Sequence, residues 1–189
     1  MKKLVLIGDS IRMGYQDEVR RQLPTEVEIF TPTQNGGDSR NVKSHLKEWV
    51  LEQSATVVHL NCGLHDIKRE LASQQISVSP EEYRSNLHQI LETVTEAAET
   101  TIWATTTPVN QDWHHQRKGF DRLISDVLEY NRVAISIAEG LGVVVNDLYQ
   151  TITEAGRDQL LVPDGVHFSP RGSVLLGQAV ANVVSPYLT

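Results

Sequence analysis

The chain has 189 residues, 40% hydrophobic and 22% charged, with a net charge of −7 at pH 7, which suits one folded domain rather than a disordered chain. That acidic balance, without a basic run, argues against nucleic acid as a partner. A lone cysteine, Cys62, excludes an intramolecular disulfide, and no segment approaches the ~18 apolar residues of a membrane span. The first apolar run, Leu4–Ile7, is too short for a signal peptide and leads straight into a turn, so a cytoplasmic location is expected. Leu4–Ile7 is also the first predicted strand, and Gly8-Asp9-Ser10 is the turn after it. Ile11, Tyr15, Val19 and Leu23 recur every four residues and give the first helix an apolar face. Val27–Phe30 is the second strand, followed by Gly36-Gly37-Asp38-Ser39 and a helical stripe of Val42, Leu46, Trp49 and Val50. Thr56–Leu60 is the third, followed by Asn61-Cys62-Gly63-Leu64-His65-Asp66. Ser79, Pro80 and Glu82 then open the clearest helix, with Tyr83, Leu87, Ile90, Leu91, Val94 and Ala98 along one face. Thr101–Thr106 is the fourth strand, and Pro108–Gly119, polar and holding Trp113, His114 and His115, reads as a long loop. A stripe of Phe120, Leu123, Ile124, Val127, Leu128, Ala134 and Ile135 marks the next helix, and Val143–Asp147 the fifth strand. Pro163-Asp164-Gly165-Val166-His167-Phe168 comes just before a last helix carrying Leu176, Ala179, Val180, Val183 and Val184.

The strand runs are short, apolar and without clean alternation, as in strands buried on both faces. Strand and helix alternate, so the expected fold is α/β: a three-layer α/β/α domain over residues 1–189. Its five-stranded parallel sheet is flavodoxin-like, in the order 2-1-3-4-5. In such sheets ligands bind beyond the carboxyl ends of the strands. Ser10, Gly37, His65 and the Asp164–His167 loop all fall at that edge. Taken alone, the Gly8-Asp9-Ser10 turn has three readings: a phosphate cradle, a helix cap, or a displayed nucleophile. The spacing of Asp164 and His167 lets the carboxylate turn back onto one imidazole nitrogen while the other points outward. An Asx-type turn with a capping histidine is the plainer alternative. GxSxG, GxxxxGK[ST], GxGxxG and HExxH are all absent, which removes support for the phosphate cradle. Adjacent His114 and His115 read as loop polarity, and no metal site is expected.

Together these blocks resemble the SGNH, or GDSL-type, hydrolases. Gly8-Asp9-Ser10-Ile11 is similar to the family's first block, Gly37-Asp38-Ser39 to its second and Asp164-Gly165-Val166-His167 to its last. Gly63-Leu64-His65-Asp66 stands where the family has Gly-x-Asn-Asp. The resemblance implies an ester hydrolase with Ser10 as nucleophile, His167 as base and Asp164 as its orienter. Backbone N–H groups of Ser10 and Gly37 would hold the oxyanion, and no cofactor would be needed. His65, replacing the usual asparagine, has three readings: a third oxyanion donor, a substrate contact, or a structural histidine bonded to Asp66. Asn61 is a further candidate for the missing amide, while His59 and Cys62 read as core and Arg12 as a solvated arginine ahead of an anion-reading one. The expected substrate is a small carboxylic ester, an acetylated sugar first, with Trp113 as a flat sugar-binding face. A short-chain lipase or thioesterase, an acyltransferase, and a non-catalytic ligand-binding domain are the alternatives.

Overall fold

The computed structural model describes residues 1–189. Its strands are β1 (Lys3–Ile7), β2 (Glu28–Phe30), β3 (Val57–Leu60), β4 (Arg69–Glu70), β5 (Thr100–Ala104), β6 (Phe120–Asp121) and β7 (Val144–Asn146). Five of them form a parallel sheet in the order β2-β1-β3-β5-β7, which is the expected winding. Leu4, Val5, Leu6 and Ile7 of β1 and Val57, Val58 and Leu60 of β3 are fully buried. Burial on both faces explains the continuous apolar runs. Register aligns the strand ends, with Ile7 opposite Leu60 and Leu60 opposite Trp103. The loops after β1, β3 and β5 therefore emerge at one edge.

The helices are α1 (Ser10–Gln22), α2 (Ser39–Ser44), α3 (Pro80–Ala97), α4 (Gln111–His115), α5 (Ile124–Gly140), α6 (Leu148–Glu154), α7 (Arg157–Leu160) and α8 (Pro170–Val184). α8 packs against α1 and α6, and α3 packs against α2 and α5, giving the two outer layers. Three of the four longer helices begin at a side-chain cap, and α5 begins without one. Asp9 accepts the Ile11 N–H at 2.9 Å, Ser79 accepts that of Glu82 at 3.2 Å, and Ser169 caps α8 ahead of Pro170. Such caps contribute about 1 kcal/mol each. No helix is long and apolar enough to cross a membrane.

Three expectations need correction. Pro108–Gly119 is not all loop, because Asn110 accepts the Trp113 N–H and starts the short helix α4. The stripe from Phe120 to Ile135 mixes two faces and two elements. Phe120 lies in β6, the buried face of α5 runs through Val127, Tyr130, Ala134 and Ile137, and Leu128 is 51% exposed. The second stripe is also divided, with Val42 on α2 and Trp49 and Val50 on a π-helical turn, Lys47–Leu51. The antiparallel pair β4–β6 had no sequence signal, since two-residue strands are too short to show a period. Arg69 anchors it to α5 through a bidentate pair with Asp126, at 2.6 and 2.8 Å.

Candidate active site

Ser10 is the first helical residue of α1, and the cap is Asp9 beside it, so the Ser10 hydroxyl is not spent on capping. That hydroxyl lies 2.8 Å from Nε2 of His167. Nδ1 of the same ring lies 2.6 Å from Oδ2 of Asp164. A carboxylate only accepts, so the ring proton sits on Nδ1 and the Nε2 lone pair faces Ser10. Asp164 Oδ1 also accepts the backbone N–H groups of Val166 (3.0 Å) and His167 (2.9 Å). Partial burial pushes the Asp164 carboxyl up, but bonds from the His167 ring and these amides outweigh it and bring it down to about 2. The carboxylate is therefore ionised throughout the neutral range.

The Asp164 turn is held from below. Gly165 has φ +75°, and a Cβ there would sit 2.4 Å from the Asn110 carbonyl oxygen. Its own carbonyl accepts the Asn110 N–H at 2.8 Å. His114 is fully buried and donates from Nδ1 to the Asp164 carbonyl at 3.2 Å. The reading of His114 as loop polarity is thus corrected: it is a strut beneath the Asp164 turn. Trp113, half-buried on α4, also packs against Gly165. The segment expected over the site does meet the Asp164–Gly165 turn.

On the other side, the loop after β2 is pinned to the Ser10 turn. Gly36 donates to the Gly8 carbonyl at 3.0 Å, and a Cβ on Gly36 would lie 2.7 Å from that oxygen. Arg12, expected in solvent, is only 2% exposed and donates to the Gln34 carbonyl at 3.0 Å and to Gln16. Its stem lies against Gly8 while its guanidinium reaches the loop after β2, so it ties two site segments together. Gly37 comes with the loop, but its N–H donates to Oδ1 of Asn35 at 2.9 Å. The expected backbone donor is thus engaged in an Asx-type turn.

His65 is half-buried, and its ring makes no hydrogen bond within the protein. Asp66 does not hold it: that carboxylate is fully buried and accepts the Ser39 N–H at 2.9 and 3.1 Å. Burial, then the charges of Lys68 and Arg122, pushes the His65 imidazole down to about 4, so it is neutral at pH 7. Asn61 is not free to replace the missing amide, because its Nδ2 donates to the Ala104 carbonyl at 2.7 Å. His59 and Cys62 are core, as expected. Asn35, His114 and Arg122 were missed by sequence reasoning, because each acts through a contact that no local pattern records. No three His, Cys, Asp or Glu side chains converge in a metal-holding group.

Residues 6–175, reaching from β1 into α8, match the GDSL-like lipase/acylhydrolase family. No curated protein matches the chain in sequence. Among solved structures it is similar to the lipase/acylhydrolase from Enterococcus faecalis, at 25% identity and TM-score 0.86, covering 100% of this chain and 98% of that one. It is also similar to an acetylxylan esterase from Geobacillus stearothermophilus, at 22% identity and TM-score 0.77, covering 96% of this chain and 93% of that one. An α/β hydrolase from the Lake Arreo metagenome shares the fold at 18% identity and TM-score 0.80, covering 98% and 94%. With the family match running through every block at the sheet edge, the chain belongs to the GDSL-like lipase/acylhydrolases, as a carboxylic ester hydrolase.

Proposed function

We propose that the protein is a serine esterase that removes a small acyl group, acetyl above all, from a carbohydrate hydroxyl through an acyl-enzyme. The observation that carries this reading is the chain of contacts from Ser10 Oγ to His167 to Asp164, at 2.8 and 2.6 Å. As Ser10 Oγ attacks the ester carbonyl carbon, its proton passes to Nε2 of His167. The Asp164 carboxylate holds Nδ1–H and stabilises the imidazolium that forms. The tetrahedral oxyanion develops beside the N-terminus of α1, where the Ser10 N–H has no intrahelical acceptor. The His65 ring supplies a second donor, and the Gly37 N–H joins by leaving or sharing Oδ1 of Asn35. Collapse releases the sugar alcohol, which takes the proton from His167. Water then attacks the acyl-Ser10 carbonyl with His167 again as base, releasing the acid and restoring the hydroxyl.

The small acyl group is favoured by the polar side chains near the triad: Lys118 lies 3.7 Å from Asp164 Oδ2, and the half-buried His65 ring has no partner within the protein. An apolar groove lined by Leu128, Ile135 and Tyr149 exists, but it shares no residue with the Ser10–His167–Asp164 cluster. Trp113, half-buried beside the Asp164–Gly165 turn, is the aromatic side chain assigned to the sugar, and the similarity to an acetylxylan esterase points the same way. On one sugar alcohol, the acetyl ester should be cleaved with kcat/KM about tenfold or more above the octanoyl ester. Faster release of octanoate would move the protein to the lipase reading.

The oxyanion role of His65 has its own test. His65→Ala should lower kcat by ~10²–10³ with little change in KM, the cost of one lost donor. Because the ring is already neutral above about pH 4, the loss should be equal at pH 5.5 and pH 8. His65→Asn should recover part of it. Normal kcat in His65→Ala, or a loss accompanied by a matching fall in melting temperature, would remove His65 from the oxyanion site.

A further inference from the structure

Arg122 follows β6 and is only 6% exposed, yet it forms no ion pair. Its Nε–H donates to the Leu64 carbonyl at 2.6 Å, and its central carbon lies 5.0 Å from the Phe120 ring centroid. These contacts use one donor and offset part of the charge. The two terminal amino groups donate to no protein group, although they keep contact with solvent. They present four further N–H bonds in a planar fork. Lys68 completes the arrangement, with Nζ 5.0 Å from the same ring centroid and no carboxylate partner. Its chain neighbour Arg69 is fully paired with Asp126, so the strand does not lack acids in general.

Burial pushes the Arg122 guanidinium down to about 10, with Asp9 and Asp164 holding it up only in part. Burial and then the charge of Arg122 depress the Lys68 ammonium too. Two cations packed on one ring, one nearly buried and neither in an ion pair, leave room for a further counter-charge beside Asp9 and Asp164. Leu64, the acceptor for Arg122, precedes His65, and the field of Arg122 is felt at Asp9, His65 and Asp164. Lys118 adds a third cation, 3.7 Å from Asp164 Oδ2.

We propose that Arg122 and Lys68 form an anion subsite beside Ser10 that takes a carboxylate on the sugar bearing the ester, as in an O-acetylated uronic acid. The proposal rests on the esterase reading for the position of the ester, and it names the charge of the substrate. The carboxylate meets the Nη1–Nη2 edge of the guanidinium in a bidentate pair, with Lys68 as a second contact. The acetyl group on a neighbouring hydroxyl is then held toward Ser10.

The test compares an O-acetylated methyl glucuronoside with its neutral carboxamide, which has nearly the same shape. Acetate release from the acid should exceed that from the amide by about tenfold or more in kcat/KM, chiefly through KM. Lys68→Gln should bring the two substrates to within about twofold by lowering the rate on the acid, and Arg122→Gln should remove the same preference, with any loss on the amide reporting its bond to Leu64. Arg122→Gln also loses the bond to Leu64, so Lys68→Gln, which breaks no hydrogen bond, carries the result if the other variant fails to fold. Binding to the Ser10→Ala protein, read by calorimetry, repeats the comparison without turnover. Equal rates and equal binding for acid and amide, or a preference that survives Lys68→Gln, would overturn the subsite while leaving the esterase intact. Tighter binding of the acid with no acetate released from either compound would keep the subsite and overturn the esterase reading instead.

Discussion

Ser10→Ala should lower kcat/KM for acetyl esters by about 10⁴–10⁶-fold and leave the melting temperature almost unchanged. The two halves of this expectation have separate physical causes. Activity is lost because the Ser10 hydroxyl is the group facing the His167 Nε2 lone pair at 2.8 Å. No other hydroxyl bonds to that nitrogen. Stability is kept because the cap of α1 is Asp9, not Ser10, and alanine is well suited to a helical position. A residual rate over water would remain from the oxyanion donors and from binding. Wild-type-like turnover in a folded Ser10→Ala protein would end the serine mechanism.

Asp164→Asn should cost about 10⁴ in kcat, through the tautomer rather than through the fold. An asparagine Oδ1 can still accept the Val166 and His167 N–H groups, so the turn is retained. Its amide nitrogen, however, donates where Oδ2 accepted the Nδ1–H of His167. The ring is then driven to carry its proton on Nε2, and the lone pair that takes the Ser10 proton is lost. The same variant reads the electrostatics. Because folding brings the Asp164 carboxyl down to about 2, its contribution to stability is complete above the ordinary carboxylate value of about 3.9. It fades as pH falls toward 2. The melting-temperature gap between wild type and Asp164→Asn should therefore be constant above about pH 5 and close in strong acid. Near-normal kcat in Asp164→Asn would show that the carboxylate does not orient His167.

What the sequence made legible follows from burial. β1 and β3 are covered on both faces, so their runs are unbroken and apolar, and the alternation with helices yields the sheet order. The site blocks were legible because the register of β1, β3 and β5 brings their following loops to one edge. Sequence reasoning failed where the deciding contact is distant. Arg12 reads as a surface arginine on α1, and only the loop after β2 folding over it makes it a buried tie. His114 looks like loop polarity until the Asp164 carbonyl, fifty positions later, comes within reach of its Nδ1. Phe120 fits a helical stripe, but pairing of β6 with β4 removes it from α5 and turns its ring toward Lys68 and Arg122. The state of the Gly37 N–H was likewise unreadable, because the geometry of a short turn decides that Asn35 takes it.

The central claim is that Ser10 is the nucleophile, and covalent labelling tests it most directly. The protein is treated with a serine-directed phosphonate, digested, and read by mass spectrometry. One adduct per chain is expected, on the peptide that contains Ser10, with esterase activity lost in proportion to labelling. Ser10→Ala protein should carry no adduct. An adduct on a different residue, or full activity in protein labelled at Ser10, would contradict the mechanism.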